Sequence, residues 1–156
     1  MSLRRRLNPV IRVLHQFHSR RTRAMTLGVR GLVTDGEGRV LLIRHTYTHG
    51  WFMPGGGVER GETAAQAVAR ELEEEAGVRP TAPPMLVSIH SAETHFRGDH
   101  ILLYRVVSWE PCPATSVGEI EETAWFSPDA LPDGTTPGTR ARIAEALEGL
   151  DPHPHW

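Results

Sequence analysis

Along this chain, apolar residues fall into short runs broken by turn-forming clusters, with helical spacing at three places. Near the start, Val10, Val13, Leu14 and Phe17 share one helical face, with Asn8 as N-cap and Pro9 at the first helical position. This predicts an amphipathic helix within residues 1–25 that ends near Arg23. Residues 27–34 and 39–44 read as strands joined by a turn at Asp35-Gly36-Glu37-Gly38. Residues 51–53 read as a short strand stopped by Pro54-Gly55-Gly56-Gly57.

The second helical stretch opens at Thr63, where Gln66 stands three residues on, the form of a capping box. It places Ala65, Val68, Ala69, Leu72 and Ala76 on a core-facing stripe, and Gly77 is a natural residue to follow the last turn. Residues 85–93 and 101–109 read as a hairpin around 96–99, residues 111–118 as a loop, and 123–126 as another short strand. Ser127-Pro128 starts a helical turn. Thr136-Pro137 begins the last helix, to about Gly149, with Ile143, Ala146 and Leu147 buried, and residues 151–156 are expected to be a disordered tail. Strands and helices mixed without regular alternation predict an α+β or layered α/β domain over residues 26–150.

The chain has 156 residues, enough for one domain with a real core, and its 39% hydrophobic and 23% charged content is that of a globular protein. No apolar run approaches the length of a membrane span. The single Cys112 excludes an internal disulfide and fits a reducing, cytoplasmic setting. Net charge is −2, but the first 34 residues hold eight arginines (Arg4, Arg5, Arg6, Arg12, Arg20, Arg21, Arg23 and Arg30) and no acid. All 17 basic residues are arginine, which reads as codon bias and by itself proves nothing about phosphate binding.

The helix after Thr63 also carries Glu71, Glu74 and Glu75, spaced i, i+3, i+4 and so on one face. Three carboxylates that close repel one another unless positive charge sits among them. A hard divalent cation with oxygen ligands, Mg²⁺ or Mn²⁺, answers that need. The bland alternative is a solvated acidic face.

Gly56, Glu62, Arg70-Glu71-Leu72, Glu74-Glu75 and Gly77-Val78 stand at the spacing of the Nudix box. Chance would give this pattern at below about 10⁻⁸ per starting position. The chain therefore resembles the Nudix hydrolases over residues 27–131. The resemblance implies a Nudix-type α/β/α sandwich with a mixed sheet between helices, and hydrolysis of the diphosphate in a nucleoside diphosphate derivative. It implies Glu71, Glu74 and Glu75 as metal carboxylates, a Gly55 carbonyl as a further ligand, and Glu62 with Arg70 as an internal ion pair. Within the box Glu71 is favoured as general base. Glu119, in the acidic run Glu119-Ile120-Glu121-Glu122 before Trp125-Phe126, matches an additional ligand or base, with Glu122 next.

Substrate recognition needs an aromatic face and a few polar groups. The candidates are Arg44, His45, Tyr47, Trp51, Phe52 and Phe96, each with a packing role as the alternative. The proline, tyrosine and upstream signatures of the ADP-ribose, dinucleoside polyphosphate and CoA subgroups are missing. Residues 96–104 resemble the hairpin of mutator-type nucleoside triphosphate pyrophosphatases, which favours a nucleoside triphosphate over ADP-ribose or a nucleotide sugar. His90, His95 and His100 recur every five residues, which alternates faces in strands, so they read as exposed or substrate-side residues and not as shared metal ligands; His153 and His155 read as bystanders.

Two other readings remain. One is a non-catalytic nucleotide-sensing module, which loss of box glutamates would signal; all are present. The other uses the basic N-terminus to bind RNA phosphates, as in a decapping-type hydrolase. The apolar stripe of the first helix favours packing instead, on its own domain or in a homodimer.

Overall fold

The computed structural model describes residues 25–94, 96–116 and 118–156. The helix expected within residues 1–25 lies outside the described residues, save Met25, and so does His95. In β1 (Thr26–Val33), Val29 and Val33 point to one side and Leu32 to the other. β2 (Val40–His45) separates Leu41 from Val40 and Leu42 in the same way. β5 (Asp99–Val106) separates Leu102, Tyr104 and Val106 from Leu103. This period-2 alternation gives two apolar faces, and each requires cover. Ala67, Val68 and Leu72 of α1 (Ala64–Ala76) cover the first, and Ile143 of α2 (Pro137–Glu148) covers the second. The result is the mixed helix–sheet–helix layering that the sequence predicts.

β1 runs parallel to β5, and β5 antiparallel to β4 (Met85–Ser91), in the order β1-β5-β4. β2 pairs antiparallel with β7 (Ile120–Phe126), with a register shift between Arg44 and His45. A small pair, β3 (Val78–Pro80) with β6 (Trp109–Pro111), is absent from the sequence reading because three residues show no period and both strands end in proline. Residues 51–53, expected as a strand, make isolated bridges only, Phe52 to Ile43 and Trp51 to Thr135.

α1 begins with the expected capping box: Thr63 Oγ1 accepts from the Gln66 N–H, and Gln66 Oε1 accepts from the Thr63 N–H at 2.8 Å. Such a cap contributes about 1 kcal/mol. Its buried stripe is rotated from the expected one. Ala67 joins Val68 and Leu72, and Glu75 lies on the same stripe at i+7 from Val68, only 7% exposed. The helix presses close to the sheet at Gly31, where a Cβ would sit 2.9 Å from Leu72 Cδ2.

Residues 151–156 are not a loose tail. Ser91 N–H donates to Pro154 O at 2.8 Å and Trp156 N–H to Ser91 O at 2.9 Å, so the segment adds to the free edge of β4. Buried Arg142 donates to His155 O at 2.7 Å, and the fully buried His90 ring bonds His153 O through Nδ1. His90 is thus neither exposed nor on the substrate side, and His153 and His155 anchor the segment through their backbone. A polar, proline-containing sequence gave no sign of this docking, because backbone atoms make most of its bonds.

Candidate active site

The loop after Met53 is held against β1. Gly31 N–H donates to Pro54 O at 2.9 Å and Val29 N–H to Gly56 O at 2.8 Å. Gly55 has φ +145, and a Cβ there would lie 2.1 Å from Val29 O, so only glycine fits. Its N–H donates to Glu75 Oε2 at 2.8 Å. Its carbonyl, the expected further metal ligand, accepts from Arg30 Nη1 at 2.7 Å, and the same nitrogen reaches Met53 O at 3.1 Å. Of the two Gly55 groups, it is the N–H that faces the box carboxylates.

Arg70 is the hub on the other side. Its Nη2 meets Glu62 Oε1 at 2.9 Å and Gly57 O at 3.1 Å, while Nη1 meets Glu71 Oε1 at 2.8 Å and Glu74 Oε2 at 3.2 Å. One guanidinium therefore ties helix to loop and neutralises part of three carboxylates. The Arg70 bonds, with the Glu59 N–H, hold the Glu62 carboxyl below the usual range, and the Glu62 bond raises Arg70 further.

Negative charge is still undercompensated. Burial raises the Glu71 carboxyl against the pull of Arg70. Burial pushes Glu75 up to about 7, with the charges of Glu71 and Glu119 adding to it and the Gly55 N–H and Arg30 opposing. Glu119, from the turn before β7, therefore acts on the same site. Glu121 and Glu122 do not join it: both pair with Arg44, at 3.1 and 2.8 Å.

A divalent cation fits this donor set by chemistry, since hard oxygen ligands with raised pKa values gain most from added positive charge. Among the described residues, however, no three of the acidic, histidine or cysteine side chains converge as a preformed cage. Glu71 and Glu74 would have to share or leave Arg70. Glu71 has room to do so because Gly56 carries no side chain: a Cβ there would lie 2.5 Å from Glu71 Oε1.

The expected substrate residues divide. His45 is buried, with ring centroids 4.9 Å from Tyr47 and 5.5 Å from Phe52. Burial, then Arg30, lowers its pKa, with Glu119 opposing. Trp51 is a core residue, 4.9 Å from Phe126 by centroids, and Arg44 lies over it within its own ion pairs, so neither faces the box. Phe52 and the exposed Phe96 line a cavity of about 470 Å³ with Arg30, Asp99 and Trp156. Trp125 stacks on Trp109 in the first core, as a packing residue.

Arg30, Asp99 and Trp156 line this cavity beside Phe52 and Phe96, and sequence reasoning singled out none of them. The arginine in Val29-Arg30-Gly31-Leu32 was a readable signal, since a charge amid core positions needs a partner. It was submerged in the count of N-terminal arginines.

The comparisons agree with this geometry. The family model described as NUDIX domain matches residues 24–147. A MutT-like protein of Streptomyces ambofaciens is 32% identical over 128 residues, covering 82% of this chain and 80% of that protein. An RNA pyrophosphohydrolase of Shewanella loihica is 46% identical over 60 residues, a match that spans 34% of its length. Among solved structures, a MutT NUDIX hydrolase from Burkholderia pseudomallei aligns with TM-score 0.67 and 26% identity, over 78% of this chain and 97% of that one. With the box, the layered fold and the family match in agreement, this chain belongs to the NUDIX domain family of hydrolases.

Proposed function

We propose that this chain is a Mg²⁺- or Mn²⁺-dependent pyrophosphohydrolase acting on a nucleoside diphosphate derivative, with a nucleoside triphosphate favoured over ADP-ribose or a nucleotide sugar. The observation that carries the reading is the pair of half-buried Glu71 and buried Glu75, both raised in pKa, against a loop whose Gly56 sets no side chain over the Glu71 carboxylate. A bound divalent cation would neutralise phosphate charge and acidify a water.

Glu71, Glu74 and Glu75, with Glu119 nearby, would hold that cation. Glu71 would accept the proton of the attacking water through Oε2, the oxygen outside its bond to Arg70. Arg30 positions Met53 and Gly55, and Arg70 ties α1 to Gly57 and Glu62. Water attacks phosphorus, the P–O–P bridge breaks, and a triphosphate yields monophosphate and pyrophosphate. A second reading, RNA 5′-end hydrolysis, takes support from the local match to the Shewanella loihica RNA pyrophosphohydrolase.

A hydrolysis panel tests both: nucleoside triphosphates, oxidised-base triphosphates, ADP-ribose, nucleotide sugars, dinucleoside polyphosphates and 5′-triphosphate RNA, each with Mg²⁺ or excess chelator. Cleavage of a mononucleotide that chelator abolishes is the expected result. Fastest cleavage of RNA would move the assignment to the second reading, and full activity in chelator would end the metal mechanism.

A further inference from the structure

We infer that Trp156 forms an aromatic wall of the nucleobase subsite and sets its preference for purines. This rests on the nucleotide substrate proposed above. The cavity of about 470 Å³ shares Arg30 with the Gly55 loop, so phosphates held at the carboxylates leave the base to enter between Phe52, Phe96 and Trp156. Planar bases stack on such rings at about 1–3 kcal/mol each, and the larger purine gains more. Asp99 also lines the space. Its Oδ1 accepts from Thr26 Oγ1 at 2.7 Å, which leaves the second oxygen to accept a base N–H.

Trp156 is held in advance for this role. Its backbone N–H donates to Ser91 O, its ring meets His90 edge-on at 5.6 Å, and the Arg142 guanidinium lies 5.9 Å from the indole centroid. The indole sits against Gly138 in the first turn of α2, where a Cβ would be 2.5 Å from Nε1. A wall fixed before binding loses little entropy when the base arrives. A merely structural Trp156 would plug the second core, which its contact with that cluster would also allow.

The test compares purine and pyrimidine nucleoside triphosphates in the unmodified protein, Trp156→Ala, Trp156→Phe and Gly138→Ala. Expected are a rise of about tenfold in purine KM for Trp156→Ala, a smaller rise for pyrimidines so that the purine preference falls, kcat within about twofold, and recovery in Trp156→Phe. Gly138→Ala, which evicts the indole without touching position 156, should give the same pattern. A purine-to-pyrimidine KM ratio that Trp156→Ala leaves unchanged overturns the inference while leaving the hydrolase reading intact. Quenching by a non-hydrolysable purine nucleotide, read as the fluorescence of the unmodified protein minus that of Trp156→Phe, is independent of turnover. Quenching without hydrolysis would sustain the wall and sink the proposed reaction; silence in both would sink both.

Discussion

The Gly55 N–H donates to the Glu75 carboxylate at 2.8 Å across the seam between the glycine loop and α1. The bond compensates only part of the cost of burying that carboxyl, whose pKa still stands at about 7. Folding and chemistry thus make opposite demands on one residue.

The pH dependence follows from that shift. The unfolded carboxyl ionises near 4.5 and the folded one at about 7. Ionising Glu75 therefore costs no stability below about 4.5, costs progressively more between the two values, and costs about 3 kcal/mol above them. Glu75→Gln keeps an acceptor for Gly55 and removes the charge. In chelator it should melt several degrees above the unmodified protein at pH 8 and match it near pH 4.5, and with Mg²⁺ restored it should be inactive where the unmodified protein turns over. Equal melting temperatures at pH 8 would show that Glu75 is not strained by its burial.

Neighbouring glycines should respond differently. Gly55→Ala puts a Cβ into Val29 O at positive φ, so thermal unfolding should show a large loss of stability. At Gly56 the obstacle is the mobile end of Glu71, so Gly56→Ala should melt near normal but lose turnover at least tenfold. Normal kcat in Gly56→Ala would mean that Glu71 does not need the space.

Arg30→Gln should strand the carbonyls of Met53 and Gly55, at a cost of about 1–3 kcal/mol in denaturant unfolding. Arg30 also lowers the pKa of Glu71 and Glu75, so its loss should move the acidic limb of the kcat/KM profile to higher pH. An unmoved limb would separate Arg30 from the carboxylates electrostatically.

What the sequence made legible was whatever rests on local spacing. Thr63 and Gln66 announced the start of α1 and the apolar runs most strands, while the pairing of Glu62 with Arg70 came from the family resemblance. Glu75 was harder, since a charged residue on a buried stripe contradicts the polarity rule on which stripes are drawn. Arg30, Asp99 and Trp156 meet around one cavity from β1, β5 and residue 156, and no spacing encodes such distant neighbours. Arg44 and Trp51 looked like recognition groups by type, yet the bulged β2–β7 pairing turns Arg44 to Glu121 and Glu122.

The fit of the Trp156 indole against bare Gly138 also constrains the history open to this chain. A helical glycine gains up to about 1 kcal/mol on becoming alanine, so drift should readily replace it. Here that gain is blocked while the indole is in place, and once an alanine is fixed the indole cannot return. Positions 138 and 156 should therefore be inherited as a unit, and lineages that lost one should have lost the other.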